Sequence, residues 1–377
     1  MKKHTVALLA LLILTTPFFY TRASAAPANS AKASVLVHAD SGTVLFSQNA
    51  DEHMLIASTT KIMTALVVLE NCDPEERVEI KQEYTNTEGS SIYLKTGEVY
   101  TVRELLYGLL LASGNDAATA LACYCAGSIE AFAQMMNEKA VSMGLSNTSF
   151  RNPHGLDAEG HYSTASDLAS ITCEALKNEL FAEIVSTKVY SFGERSYVNH
   201  NKLLWKYKGC MGVKTGYTMA AGRSLVTCAE RNGMKLVCVT LSDPNDWNDH
   251  MALYDWAFSS YEYKNVIPMG EIYSVPVISG EIEKVGVTAT CGVSVLVQAD
   301  AELTYSFELP EFVYAGVKKG EVAGRIFVYS NGEQLTECPL VFASDAPLAD
   351  GIRMTAWQRI KKLWYMTNKY GFVFGGD

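Results

Sequence analysis

The chain has 377 residues, of which 48% are hydrophobic and 19% charged, with a formal net charge of −10. The length exceeds that of a usual single domain and the apolar share suffices for packed cores, so two domains are expected and disorder is excluded. The acidic balance excludes a nucleic-acid partner held by overall charge.

Lys2, Lys3 and His4 precede the apolar run "VALLALLILTTPFFY", and Ala23-Ser24-Ala25 then places small residues where a signal peptidase reads. Residues 1–25 are read as an export signal rather than a membrane anchor, because the run is short for a span and carries Thr15, Thr16 and Pro17. The mature chain begins near Ala26, and loss of Lys2, Lys3 and Arg22 takes the formal charge to −13. "ASVLVHADSGTVLFSQNAD" predicts two strands joined at Ser41-Gly42. In "MLIASTTKIMTALVV" a helix is expected to open near Ser58. A hydroxyl residue before an apolar run is an ordinary helix-start signal. Ser58 and Lys61 also stand three residues apart, hence on one helical face, so the amine can reach the hydroxyl.

"SSIYLKTGEVYTVRELL" contains Lys95-Thr96-Gly97, read as a turn, followed by a capping box at Thr101 and Glu104. From Thr101 to Leu145 two helices are expected, broken at Ser113-Gly114-Asn115. Such a break can present a hydroxyl and an amide together to a cleft, although a helix end followed by an N-cap reads the same way. "GCMGVKTGYTMAAGRSLV" holds a second Lys-Thr-Gly, Lys214-Thr215-Gly216, just before a hairpin centred on Asn232-Gly233. A strand whose glycine carries no side chain leaves room for a substrate backbone alongside it. "DHMALYDWAFSSYEY" predicts a helix that closes this first unit.

From about Val266 to Phe342, short alternating runs separated by turn residues predict a small all-β domain. The tail "GIRMTAWQRIKKLWYMTNKYGF" places Trp357, Ile360 and Trp364 on one helical face with Leu363 beside them, and Gln358, Arg359, Lys362 and Lys369 mostly opposite. Local positive charge with tryptophans reads as an interfacial helix on an anionic membrane, against the plainer reading of a helix packed on the protein itself. The nine cysteines are odd in number and irregular in spacing, and most lie in apolar runs, which fits buried free thiols better than a disulfide framework. No cysteine or histidine spacing suggests a metal site, and no cofactor is implied. The expected fold class is α+β: an antiparallel sheet with a helical subdomain over residues 26–264, an all-β domain over 265–344 and an amphipathic tail over 345–377.

A serine needs a base within hydrogen-bond reach, and a lysine serves only if burial or a second cation depresses its pKa. Ser58-x-x-Lys61, Ser113-x-Asn115 and Lys214-Thr215-Gly216, each weak alone, together resemble the Ser-x-x-Lys, Ser-Asp-Asn and Lys-Thr-Gly set of penicillin-binding proteins and class A β-lactamases. With the signal, the β-rich second domain, the tail and "FRNPHGLDAEGHYSTASDLA", the chain resembles low-molecular-mass penicillin-binding proteins, the serine-type D-alanyl-D-alanine carboxypeptidases of bacterial walls.

The resemblance implies that Ser58 attacks the D-Ala–D-Ala carbonyl with Lys61 as base. Ser113 would relay a proton to the leaving amine, and Asn115 would hold Lys61 and the substrate amide. Lys214 and Thr215 would bind the terminal carboxylate, and the backbone N–H groups of Ser58 and Tyr217 would form the oxyanion hole. The implied partners are peptidoglycan stem peptides, β-lactams and, through the tail, a membrane surface at the outer face of the cytoplasmic membrane or in the cell-wall space. Family members often carry an arginine shortly before the last catalytic-domain helix, where this chain reads "DPNDWNDH". His154, Asp157 and His161 of "NPHGLD" and its continuation are read as a loop that shapes the cleft rather than as reacting groups. Two rivals share the acylation step: a secreted serine β-lactamase, for which Glu174 is the one loose candidate for a deacylating carboxylate, and a wall-binding or β-lactam-sensing module that acylates and stops.

Overall fold

A computed structural model describes residues 25–350 together with residues 356, 357, 360 and 364. The segment read as an export signal and most of that read as an amphipathic tail lie outside the described residues. The chain divides into two units, one over Ala25–Ser259 and one from Ser260 onward.

In the first unit, β1 (Ala33–His38) and β2 (Val44–Gln48) pair antiparallel, turning through Gly42. A short 3-10 turn, Ala57–Thr60, then leads into α1 (Lys61–Asn71). The expected helix start near Ser58 is therefore resolved into two pieces, with Ser58 in the tight turn and Lys61 opening the α-helix. Ile62 to Val68 are all buried, as expected of a helix that is apolar all round and packs against α-helical neighbours on several sides.

A small β3 (Arg77–Glu79) and β4 (Val99–Thr101) pair ahead of α3 (Val102–Leu111), with α2 (Gln82–Thr85) between them in sequence. Thr101 and Glu104 form the reciprocal capping box. The stretch after Ser113 is two helices, where one was expected. α4 (Asn115–Ala126) stops at Gly127, which has φ 84°, and Ser128 caps α5 (Ile129–Ser142) by accepting from the Ala131 N–H. α6 (Ala165–Ala175), α7 (Glu179–Ser186), the small pair β5 (Val189–Phe192) and β6 (Arg195–Val198), and α8 (Leu203–Lys206) follow.

β7 (Cys210–Thr218), β8 (Gly222–Arg231) and β9 (Met234–Leu241) then complete an antiparallel sheet in the order β2-β1-β9-β8-β7. The β8–β9 hairpin turns at Asn232 and Gly233, both with positive φ, as a two-residue Asn-Gly turn requires. β1, from the start of the unit, lies against β9 near its end, so both ends of the unit share one sheet. α9 (Asp246–Ser260) packs on the sheet through buried His250, whose two ring nitrogens meet the hydroxyls of Thr227 and Thr240, and buried Tyr254, whose hydroxyl meets that of Thr227. The helix expected to run through Tyr263 stops at Ser260, and Tyr261 begins a strand.

The second unit is all β among its described residues apart from the helical positions of the tail. β10 (Tyr261–Ile267) pairs with β13 (Val293–Gln298). β14 (Leu303–Glu308), β16 (Val322–Ser330), β17 (Glu333–Phe342), β12 (Lys284–Ala289), β11 (Glu271–Ile278) and β15 (Val313–Tyr314) form a second sheet in that order. Its core includes Val275, Val285, Val287, Ile326, Val328, Leu340 and Phe342. Among the cysteines, Cys228, Cys238 and Cys338 are buried and Cys291 is exposed, while the other five are half-buried.

Candidate active site

The cleft of the first unit begins with a strained backbone. Ala57 has φ 47°, a left-handed conformation that costs a non-glycine residue about 1–2 kcal/mol. The hydroxyls of Thr59 and Thr60 donate to the carbonyls of Ile56 and Ala57, which holds the turn in place. Thr60 is in turn held by His161, whose Nε2 lies 2.9 Å from its Oγ1. The Arg151 N–H donates to His161 Nδ1, so the ring is the Nε2–H tautomer and donates to Thr60. Ser58 is thereby presented half-exposed at the start of a buried helix.

Lys61 is wholly buried, and its Nζ has three neighbours: Ser58 Oγ at 2.9 Å, Asn115 Oδ1 at 2.7 Å and the His154 carbonyl at 2.7 Å. Burial is the main force holding its pKa well below the usual lysine range, and the neighbouring Lys214 charge adds to it. Its place in the first turn of α1 works the same way, since the positive end of the helix dipole opposes a cation. A neutral amine has two N–H donors and one lone pair. Asn115 Oδ1 and the His154 carbonyl can only accept, so they take both N–H bonds. The lone pair is left for the Ser58 hydroxyl, which then donates to it. This geometry makes Lys61 a base aimed at Ser58.

Ser113 and Asn115 come from the break between α3 and α4. Ser113 has φ 63°, and its hydroxyl accepts from Lys214 Nζ at 3.1 Å. Asn115 uses one amide N–H on the Glu88 carbonyl at 2.6 Å, which fixes its oxygen toward Lys61. Lys214 is buried on β7, also donates to the Thr215 carbonyl, and is lowered to about 7 by burial. Gly216 serves a purpose the sequence reading did not foresee. A Cβ there would stand 3.1 Å from the Ser58 nitrogen and 3.2 Å from the Ile56 oxygen, so the bare strand admits the nucleophile's own turn. Tyr217 is exposed at 66% on the same strand. Ser58, Ser113, Thr215, Gly216 and Tyr217 line one cleft of about 470 Å³.

All the expected site residues thus fall within one neighbourhood. The first Lys-Thr-Gly does not: Thr96 donates to Gln82 Oε1, Gly97 N donates to the Ile80 carbonyl, and the tripeptide is a surface turn. His154 contributes its backbone carbonyl rather than its ring, which burial lowers to about 3. Asp157 accepts from Thr218 Oγ1. Glu174 pairs with Lys177 and lines a different cavity, together with Val37 and Cys173, so it is no partner of Ser58. Among the described residues, no group of three or more His, Cys, Asp or Glu side chains could hold a metal ion. The sequence reading missed His200, Lys202, Arg223, Ser224, Asp246 and Trp247, which also line the cleft. They come from segments distant in sequence and carry no local motif.

Comparison with known proteins agrees with this geometry. The D-alanyl-D-alanine carboxypeptidase family profile matches residues 20–245, and that of the C-terminal domain of penicillin-binding protein 5 matches residues 261–347. The chain is 34% identical over 356 residues to D-alanyl-D-alanine carboxypeptidase DacF of Bacillus subtilis, covering 89% of this chain and 92% of that one. It is 32% identical to D-alanyl-D-alanine carboxypeptidase DacA of Escherichia coli, over 85% of both chains. A crystal structure of penicillin-binding protein 5 from Haemophilus influenzae superposes with a TM-score of 0.69 at 28% identity, covering 86% of this chain and 99% of that one. With a cleft-lining serine hydrogen-bonded to a buried lysine at the head of a central helix and the family's two domains in order, the chain belongs to the D-alanyl-D-alanine carboxypeptidase family of serine peptidases.

Proposed function

We propose that the protein removes the terminal D-alanine from peptidoglycan stem peptides through an acyl-enzyme at Ser58. The observation that carries this is the Lys61 amine, buried and spent on two carbonyl-type acceptors so that its remaining valence faces the Ser58 hydroxyl. Ser58 Oγ attacks the carbonyl of the D-Ala–D-Ala bond while its proton passes to Lys61. Collapse of the tetrahedral species breaks the C–N bond, and the departing amine takes a proton delivered through Ser113. Lys214, donating to Ser113 and lying close enough to depress Lys61, keeps that relay polarised. The substrate carboxylate meets the field of Lys214 and the cleft-lining Thr215, while Asn115 holds Lys61 and borders the substrate amide. The N–H groups of Ser58 and Tyr217 receive the developing oxyanion. Water then cleaves the ester, releasing the shortened peptide and restoring the serine. A β-lactam acylates the same oxygen, but its leaving amine stays tethered in the adduct.

The test is covalent capture of a labelled penicillin at Ser58 with D-alanine release assayed in parallel. The expected outcome is both activities in the mature protein and neither in Ser58→Ala. Release by Ser58→Ala at the wild-type rate would overturn the reading. Rapid penicillin hydrolysis without D-alanine release would identify a β-lactamase, and labelling without turnover would identify a sensor.

The protein acts outside the cytoplasm in this reading, with residues 1–25 as its export signal, 26–264 as the catalytic domain, 265–344 as the β domain and 345–377 as its means of resting on the membrane. The last point is supported by the helical residues Trp357, Ile360 and Trp364, which are all exposed. Deleting residues 351–377, which spares the β-domain contacts of Ala346, Leu348 and Ala349, is expected to shift the protein from anionic vesicles to the supernatant, and retention on vesicles would count against the anchor.

A further inference from the structure

The cleft has one end that the proposed chemistry leaves unused. Beyond Thr215 it is lined by Arg223 and Ser224 of β8 and by Asp246 and Trp247, where α9 begins. Strand register sets Arg223 opposite Tyr217 and Ser224 opposite Gly216, next to the catalytic Lys-Thr-Gly. The guanidinium is clamped. Nε and Nη2 donate to both oxygens of Asp246 at 2.6 to 3.1 Å, and the group lies 5.7 Å from the centre of the Trp247 ring. Asp246 is nearly buried, at 4% exposure, whereas the Arg223 side chain is 43% exposed. Nη1 takes no part in the clamp, so its N–H groups stay available on the open side. Ser224 is 1% exposed, and its hydroxyl has no hydrogen-bond partner among the described residues.

We propose that Arg223 receives the terminal carboxylate of the substrate directly, with Asp246 and Trp247 holding the guanidinium in position. This deepens the carboxypeptidase reading and rests on it. Lys214 cannot offer the same contact, since it is 1% exposed and its Nζ already donates to Ser113 Oγ and the Thr215 carbonyl. It contributes charge from behind the strand. The stretch "DPNDWNDH" before α9 contains no arginine. In this chain the cation is supplied from β8, and that stretch provides the aspartate that aims it. The Nη1 N–H groups outside the clamp can donate to a carboxylate, and the pairing with Asp246 makes the recognition directional rather than a matter of net charge.

The test compares a peptide ending in D-Ala–D-Ala with the same peptide bearing a C-terminal carboxamide, and benzylpenicillin with its methyl ester. Arg223→Gln is expected to lower kcat/KM for the acid on the order of 10- to 100-fold, mostly through KM, while leaving the carboxamide nearly unchanged. Where Arg223→Gln leaves Asp246 unpaired and the protein unfolds, the double variant Arg223→Gln/Asp246→Asn removes both charges and is read by the same ratio. An acid-to-carboxamide ratio at the wild-type value in a folded variant that still labels at Ser58 would overturn the proposal. So would loss of the preference in Lys202→Gln, at the other cation lining the cleft, with none in Arg223→Gln. Should the wild type release no D-alanine yet acylate with penicillin, the carboxypeptidase reading fails alone. The acid-to-ester ratio of acylation then decides the role of Arg223 independently.

Discussion

Lys61 and Lys214 are two buried amines whose charges oppose each other, which makes pH a direct probe of the site. Burial first, and Lys214 second, hold the Lys61 pKa down. Replacing Lys214 by a neutral glutamine therefore lets the Lys61 pKa rise, and a smaller fraction of the base is free at neutral pH. Lys214→Gln is expected to move the acidic limb of the pH–rate profile for penicillin acylation to higher pH and to lower the rate at pH 7 by about 10²-fold. A limb that stayed in place would mean that Lys214 does not act on Lys61. Gly155 offers a steric counterpart. Its φ is 85°, and a Cβ there would overlap the Ala57 carbonyl and crowd Thr60 Oγ1. Gly155→Ala should displace the turn that presents Ser58, slowing acylation at least ~10-fold and costing about 1–3 kcal/mol in urea unfolding. The glycine of "NPHGLD" thus shapes the nucleophile from a loop far away in sequence, consistent with the reading of that segment as structural. The Ser58–Lys61 pair was legible in the sequence because both members sit on one short element. The Arg223–Asp246 clamp was not, since its partners meet only after β8 and the start of α9 have folded together.

Among the elements, α4 organises the wall of the cleft opposite β7. Its first residue, Asn115, also receives backbone support, donating its N–H to the Ser90 carbonyl at 2.7 Å. Asp116 then accepts from Ser91 Oγ and from the N–H groups of Ile92, Leu94 and its neighbour Ala117, at 2.6 to 3.0 Å. One carboxylate at a helix N-terminus thereby pins the segment preceding the surface Lys-Thr-Gly turn, which is why that turn has a structural use and no catalytic one. Asp116→Ala is expected to cost about 2–4 kcal/mol in urea unfolding and to loosen Asn115, while Asp116→Asn costs less because one oxygen still accepts. The helix start at Thr101 with Glu104 and the hairpin turn at Asn232-Gly233 behave as their chemistry dictates, whereas Ser58 lies inside a 3-10 turn and α1 begins only after Thr60. The break at Gly127-Ser128 carries the same type of signal, a left-handed glycine followed by a hydroxyl cap, but it interrupts an apolar run long enough to pass for one helix. The reading erred there by weighting periodicity over punctuation.

Across the whole molecule, stability should depend on pH through histidines as well as carboxylates. Burial lowers His154 to about 3, His161 to about 4 and His250 to about 3, so the native state keeps them neutral where the unfolded chain, with ordinary histidines, binds protons. Their contribution is complete above about pH 6.5 and is lost as pH falls from there toward 3 to 4, since the unfolded state takes up protons first. The melting temperature is therefore expected to begin falling below about pH 6.5, ahead of the carboxylate range, and His250→Gln should flatten that first part of the decline. A flat melting temperature down to pH 5 would show that these rings are not buried neutral.

The pairing of β1 with β9 has a further consequence, for the order in which the catalytic unit is made. The apolar strand "ASVLVH" is the first strand of the unit to be synthesised, yet its partner is the last strand of the unit's sheet. Until β9 arrives, β1 has no sheet to enter except through its own hairpin with β2, and the head of α1 has no β7 to lie against. Closing so long a loop makes folding slow, and it exposes a sticky edge in the meantime. Nascent or truncated chains lacking β9 should therefore be aggregation-prone as well as inactive.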